Sequence, residues 1–491
     1  MEFWDPQSIA GMVNGTWLSP PSHDASGRRG PGGVTIDSRL VSTGNVFVAL
    51  RGERHDGHDH LLQAARSGAS VLIVDTPEKV PPGLTRTDGS TAAVLLVRDT
   101  SRALLELGAG RRAGLGGVPV VAVTGSNGKT TTTRLVEAVL SSLGPGTASI
   151  KSYNNRIGVP LTILRSTPSD RFLVCEVGTN ARGEIAELAP VVSPDVTVIT
   201  SIGREHLEGL GGIEGSVREA MELVLALRPG GTAVVPTGCG RLDEAVSAAG
   251  VGSRGGRILR FGRDTSADVA VEAVCMTMDG TEFSVAGSGR FRIPMVGSHN
   301  ALNAAAAIAV GRILGLDDGA IASGLANCPG PEMRLERVSV ACGEGERSID
   351  VLNDAYNANP ESMLAAFAAF GEVHGVGSGR LVAVLGDMLE LGEQEEACHR
   401  EIAEAASASG LFDLVVLVGP RMSRASGFFA GSGARVERVD VLDEESARRV
   451  AGLIEPGDAV LLKGSRGMGI ERVLTALRDR PREPDRRPHT V

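Results

Sequence analysis

Short apolar runs rich in β-branched residues recur along the chain, each followed by a polar or glycine-bearing cluster and then by apolar positions at helical spacing. The clearest is Val118–Val123, which leads into Thr124-Gly125-Ser126-Asn127-Gly128-Lys129-Thr130-Thr131 and then into Leu135, Val136, Val139 and Leu140 on one helical face. Further strands are predicted over Arg171–Gly178 and Asp195–Thr200, and an Ala-rich helix over Ala301–Val310. This alternation across 115–330 calls for a mostly parallel sheet with helices on both faces. Residues 1–114 read as a small α/β domain with strands over 34–39, 45–50 and 69–74 and a helix over 61–67. Residues 84–93 read as a loop, and Gly108–Gly117, from its glycines, as a linker. Residues 331–491 predict a third, Rossmann-like unit. Its strands fall at 348–352, 381–386, 413–419 and 459–463, its helices at 361–370, 394–409, 443–453 and 470–478. The Pro- and Arg-bearing tail, 479–491, is expected to be disordered. The fold class is therefore α/β in three domains, with no internal repeat.

Composition narrows the function. At 491 residues the chain exceeds what one core supports, in keeping with three domains. A net charge of −10 argues against a nucleic-acid backbone as partner, because counterion release needs a basic surface. The six cysteines are scattered with no Cys-x-x-Cys pair, which fits reduced thiols better than a disulfide framework or a zinc site. The N-terminus carries Glu2 and Asp5 and no basic region ahead of an apolar core, and no uninterrupted apolar stretch reaches the ~18 residues of a membrane span. A soluble, cytoplasmic, monomeric protein acting on small molecules is expected, with neither nucleic acid nor membrane as partner.

The stretch Gly125–Thr131 carries the chemistry. Between a strand and a helix, Gly125 and Gly128 let backbone N–H groups turn toward an anion, to which the helix N-terminus adds partial positive charge. Lys129 supplies a point charge for the β- and γ-phosphates of ATP, and the Thr130 hydroxyl can ligate Mg²⁺. The usual spacing would put a glycine at Val123, so the loop is a shortened variant; the bland reading is an ordinary glycine turn. Glu176 closes its strand at the carboxyl end, where open α/β sheets bind ligands. It is either a Mg²⁺ ligand across from Thr130 or a surface charge. His206, past the end of another strand, is either a ligand or a hydrogen-bonded histidine. Asn300 and Asn303 lie one helical turn apart, to read a nucleobase or cap the helix. The turn Ser38-Arg39, near the charged loop 51–59, can bind a phosphorylated ligand or be merely solvated.

Taken together, these stretches resemble the Mur ligases and folylpolyglutamate synthetases over nearly the whole chain. Tyr153–Pro160, Asp354–Pro360, Gly386–Gly392, Asp37-Ser38-Arg39 and Phe47–Glu53 are similar to the members that add D-alanyl-D-alanine to UDP-N-acetylmuramoyl-tripeptide in peptidoglycan synthesis. The resemblance implies that 1–114 holds the UDP-sugar peptide, 115–330 binds ATP and 331–491 completes the ligase. ATP would phosphorylate the tripeptide carboxylate, and the amine of D-alanyl-D-alanine would attack the acyl phosphate. By the same resemblance Gly125, Ser126, Asn127, Gly128, Lys129, Thr130 and Thr131 hold the phosphates, with Lys129, Glu176, His206 and Arg334 catalytic. Thr130 and Glu176 share one Mg²⁺, and His206 contacts a second. His299, Asn300 and Asn303 face adenine, and Arg334 and Asp354 close the C-terminal domain on the nucleotide. Ser38 and Arg39 touch the uridine diphosphate, Asn154 and Asn155 the peptide or metal side. Tyr356, Asn357, Lys463 and Ser465 contact substrate, the last two on the acceptor side.

The chain departs from the family pattern twice. A lysine carbamylated by CO₂, which the family commonly uses to steady the second Mg²⁺, aligns with Ala220, and no lysine occurs between Gly203 and Arg228. Glu219 or Glu222 is the expected substitute. Segment Pro236–Gly240 also lacks the family's Asn-x-Asp, which removes nucleotide contacts expected there. The alternatives are an ATP-dependent amide ligase with another substrate and a nucleotide-binding scaffold without ligation.

Overall fold

The computed structural model describes residues 5–21, 32–86, 88–277, 279–342, 347–375 and 379–480. From residue 481 onward the tail expected to be disordered lies outside the described residues. Three sheets organise the chain, each built around parallel strands buried on both faces, as helical crossovers require.

The first sheet comprises β1 (Thr16–Ser19), β2 (Val34–Thr35), β3 (Val46–Val48), β4 (Val71–Val74) and β5 (Ala93–Leu96), in the order β1-β5-β4-β3-β2. Around it lie α1 (Pro6–Met12), α2 (Leu61–Arg66) and α3 (Thr100–Ala113). Since β2 and β3 run parallel, the Ser38-Arg39 turn and the loop that begins at Arg51 leave the same edge.

The second sheet holds β6 (Val120–Thr124), β7 (Thr147–Ala148), β8 (Leu173–Glu176), β9 (Val196–Ile199), β10 (Thr232–Pro236), β11 (Arg257–Gly262), β12 (Val269–Thr277), β13 (Gly280–Val285) and β14 (Arg290–Ile293). Its order is β14-β13-β12-β11-β10-β9-β6-β8-β7, parallel as far as β12 and closed by the antiparallel strands β13 and β14. Helices α4 (Lys129–Leu140), α5 (Gly158–Leu164), α6 (Glu184–Val192), α7 (Leu207–Leu210), α8 (Ile213–Leu225), α9 (Gly240–Ala248), α10 (Ser298–Ile313) and α11 (Asp318–Ala326) accompany it. Placing β6 between β8 and β9 decides the function: Val123 pairs with Glu176 and Thr124 with Ile199, so three strand ends open at one edge.

The third sheet runs β15-β16-β20-β17-β18-β19, with β15 (Glu336–Val340) antiparallel to β16 (Ile349–Asp354) and the rest parallel. The remaining strands are β17 (Leu381–Gly386), β18 (Leu414–Val418), β19 (Arg435–Val439) and β20 (Ala459–Lys463). Helices α12 (Pro360–His374), α13 (Glu395–Ser409), α14 (Pro420–Arg424), α15 (Glu444–Gly452) and α16 (Glu471–Arg478) cover its faces. Among the described residues no helix is long and apolar enough to cross a membrane.

One expectation is corrected. The segment 108–117 is not a linker throughout, because α3 continues to Ala113 and only Gly114–Gly117 follow it as a turn. Gly108 and Gly110, inside the helix, serve close approach: a Cβ on Gly108 would lie 2.9 Å from Pro160 Cβ, and one on Gly110 2.7 Å from Met12 Sδ. The next two residues anchor the helix to the second sheet. Arg111 donates to the Ser166 carbonyl at 2.6 Å. Arg112, buried, donates to the Val192 and Ser193 carbonyls and pairs with Asp195 at 2.8 Å. Truncating Arg112 would leave three acceptors in a poorly solvated crevice. Arg112→Ala is expected to lower stability by about 2 kcal/mol or more in urea unfolding, whereas Arg102→Ala, which breaks an exposed pair with Glu106 one turn away, costs about 0.5 kcal/mol or less.

Candidate active site

The glycine loop owes its shape to two positive-φ residues and a neighbouring loop. Gly125 has φ +128°, and a Cβ there would lie 2.4 Å from Thr200 Oγ1; Gly128 has φ +85°, and a Cβ would lie 2.4 Å from Asn303 Oδ1. The segment after β9 then ties the arch down. Ser126 N donates to the Ser201 carbonyl and Asn127 N to Ser201 Oγ, both at 2.8 Å. Gly203 N donates to Ser126 Oγ at 2.8 Å, and Thr200 Oγ1 to the Asn127 carbonyl at 2.5 Å.

Lys129 opens α4, and its ammonium folds back over the loop, 2.6 Å from the Gly125 carbonyl and 3.0 Å from that of Ser126. Its third partner is the buried carboxylate of Glu205, 3.0 Å away. Burial pushes Glu205 above the usual carboxylate range, with Lys129 and His206 opposing. Glu176, 1 % exposed, likewise titrates high because of burial, opposed by Arg334 and Lys129. Its Oε1 accepts from Asn154 Nδ2 at 2.8 Å, while Oε2 is buried without a partner. A buried, half-satisfied carboxylate beside the Thr130 hydroxyl is a donor set suited to a hard divalent cation.

The third sheet delivers the remaining groups. Arg334 donates to Thr130 Oγ1 at 3.1 Å and stacks on the Tyr356 ring, 4.2 Å from its centroid. Its neighbours Met333 and Leu335 both have positive φ, at +56° and +51°, a strained backbone of the kind found at ligand clamps. Asn359 Nδ2 donates to Asn127 Oδ1 at 2.9 Å. Arg204 donates to Glu361 at 2.7 Å and bidentately to Glu401. His206 contacts Glu390 through Nδ1, each residue in a left-handed conformation.

Two clefts open in this region, the larger one at the loop. A cavity of about 250 Å³ is lined in part by Gly128, Thr131, His299, Asn300, Asn303 and Arg334. Within it, desolvation holds His299 below its ordinary pKa, against the pull of Asp354. A second, of about 90 Å³, is lined in part by Glu205, His206, Asn357, Glu390, Ser465 and Arg466.

Some expected residues are occupied otherwise. The Lys463 ammonium, 1 % exposed, is held by Asp354 at 2.5 Å and the Asn357 carbonyl at 3.1 Å, so it ties β16 to β20 and does not line the second cavity, as Ser465 does. Asp354 also accepts from Leu335 N, so it fixes the arginine-bearing turn through its backbone. Asn155 caps α5 by accepting from Ile157 and Gly158 N–H, and Asn300 donates to the Val296 carbonyl within its own helix start while accepting from Asn303. In the first sheet Ser38 donates to Gln63, and Arg39 pairs with Asp37, whose pKa it holds down at about 2. Glu219, expected to stand in for the missing lysine, has both oxygens committed to the N–H groups of Gly183 and Ile185 at the start of α6. Sequence reasoning missed Arg204, Glu205, Ser201, Asn359 and Glu390. Only the three-dimensional approach of β9 and the third sheet to the loop sets them apart.

A phosphate loop at the middle of a parallel sheet, capped by an arginine from a Rossmann-like domain, is the site of an ATP-dependent enzyme, and the family matches make it an amide-forming ligase. Three family models match: Mur ligase family, catalytic domain, over residues 32–112; Mur ligase middle domain over 123–311; and Mur ligase, glutamate ligase domain, over 333–466. The chain belongs to the Mur ligase family. It is 34% identical over 482 residues to the UDP-N-acetylmuramoyl-tripeptide--D-alanyl-D-alanine ligase of Bacillus subtilis, covering 97% of this chain and 98% of that protein. Its fold matches MurF from Acinetobacter baumannii with a TM-score of 0.81 at 29% identity, covering 97% of this chain and 99% of that one. The MurF ligase of Thermotoga maritima in complex with ADP gives 0.73 at 27% identity, covering 91% and 96%.

Gly128→Ala tests the loop geometry. Forcing a Cβ into a left-handed position costs about 1–2 kcal/mol, and the contact with Asn303 adds to it. Binding of a fluorescent ATP analogue is expected to weaken tenfold or more, while the cooperative thermal unfolding transition persists with its midpoint lowered by only a few degrees.

Proposed function

We propose that this enzyme joins D-alanyl-D-alanine to UDP-N-acetylmuramoyl-tripeptide at the expense of ATP, in peptidoglycan precursor synthesis. The observation that carries the reading is the convergence of Lys129, Thr130, Glu176 and Arg334 on one loop, in a chain whose relatives over nearly its full length carry that name. Residues 1–114 hold the UDP-sugar peptide, 115–330 the ATP, and 331–491 complete the site. The enzyme works in the cytoplasm, a reducing compartment in keeping with six free cysteines, and as a monomer.

A carboxylate at neutral pH resists amines, so its oxygen must first become a leaving group. The loop N–H groups and Lys129 orient the triphosphate, and Arg334, already at Thr130, reaches the charge that develops as the γ-phosphoryl passes to the tripeptide carboxylate. Thr130 and the unpartnered Oε2 of Glu176 would hold Mg²⁺, which when bound neutralises phosphate charge. Asn154 keeps the Glu176 carboxylate aimed. The second cavity, with Asn357 and Ser465, receives the dipeptide, whose amine attacks the acyl phosphate; the tetrahedral adduct then expels phosphate. His299 and Asn303 border the nucleotide in the larger cleft, while Ser38 and Arg39 would have to exchange their partners Gln63 and Asp37 to contact the uridine diphosphate.

Phosphate release from ATP measures this directly. Release is expected only when UDP-N-acetylmuramoyl-tripeptide and D-alanyl-D-alanine are both present. Absence of release with any acceptor would make the chain a nucleotide-binding scaffold.

A further inference from the structure

Glu205 is the buried group that the mechanism leaves without a task. It sits in the loop after β9, 7 % exposed, lining the smaller cavity of the site, with its carboxylate on Lys129. On its other side a pocket of about 10 Å³, at the lower limit of what one water fills, is lined in part by Gly125, Ser126, Glu205, Glu219 and Ala220. Ala220 is itself buried in α8, so a lysine bearing a carbamate has neither the residue nor the room there. Glu219 is spent on the start of α6.

The ion pair cannot survive nucleotide binding unchanged. Lys129 has its ammonium on Glu205 and two loop carbonyls, and a triphosphate in the arch draws that charge toward its own oxygens. Glu205 would then be a buried carboxylate facing polyphosphate, two like charges in a poorly solvated site, which is costly unless a cation lies between them. The adjacent His206 lines the same cavity and offers a nitrogen donor.

We propose that Glu205 supplies, from the β9 loop, the anionic oxygen that a carbamylated lysine would otherwise supply from position 220, and that with His206 it holds a second Mg²⁺ once nucleotide is bound. This rests on the proposed ATP site. It makes the enzyme independent of CO₂.

The test uses the full chain with a non-hydrolysable ATP analogue, Mn²⁺ as the probe, and electron paramagnetic resonance to read free metal. The wild type is expected to take up two Mn²⁺. Glu205→Gln is expected to keep one and bind the other about tenfold more weakly or worse, with Glu205→Asp between the two. An unchanged Gln titration overturns the proposal. So does an effect confined to metal-free nucleotide binding, which would make Glu205 only a positioning residue for Lys129. On the wild type, ¹³C-bicarbonate is expected to give no carbamate resonance; such a resonance overturns the proposal without any variant. Metal-free uptake of the analogue by the wild type reads the phosphate loop separately, so its failure is distinguishable.

Discussion

A polyphosphate can be gripped by backbone amides only if the backbone is kept in an arch it would not adopt alone. Here the arch is imposed from outside: Ser201 accepts from Ser126 and Asn127, Gly203 donates to Ser126, and Thr200 closes on Asn127. Those contacts exist because β9 lies beside β6, in register from Val121 with Val196 to Thr124 with Ile199. Glu176 arrives by the same logic from the other side, through β8. Sheet order thus fixes the chemistry, and the glycines remove the side chains that would obstruct it.

Across this edge the third sheet is docked by polar contacts. Arg334 reaches Thr130, Asn359 reaches Asn127, Arg204 reaches Glu361 and Glu401, and His206 reaches Glu390. Partly exposed contacts of this kind contribute about 1 kcal/mol or less each, and they accompany an apolar contact in which Leu207 and Val296 join the core of the third unit. A ligase that must admit three substrates and release three products needs such a joint. The inner anchors differ: Arg111 and Arg112 fasten α3 to the second sheet through buried carbonyls, joining the first two units firmly.

Much of this was legible in the chain because buried parallel strands announce themselves. The runs at 381–386, 413–419 and 459–463 and the helices between them lie within a residue or two of the observed elements, since each strand is apolar on both faces. Weaker signals were passed over. Strands β1, β13, β14 and β15 expose one face and alternate, and of the strand expected over 34–39 only Val34–Thr35 pairs as β2 before the chain turns. The glycines of α3 mimic a linker because composition does not distinguish freedom from close packing. Site residues within the motif, Lys129, Thr130 and Glu176, could be found from strand ends. Glu205 could not, since its neighbours Lys129 and Ala220 are 76 and 15 positions away, and Lys463, expected on the acceptor side, is instead held by Asp354, a partner 109 positions away that spacing does not reveal.

The most direct test of the central claim is a crystal structure of the full chain with an ATP analogue and magnesium. Phosphates seated in the arch between Gly125 and Thr130, with a metal against Thr130 and the free oxygen of Glu176, are the expected result. Nucleotide bound elsewhere, with the arch vacant, would contradict it.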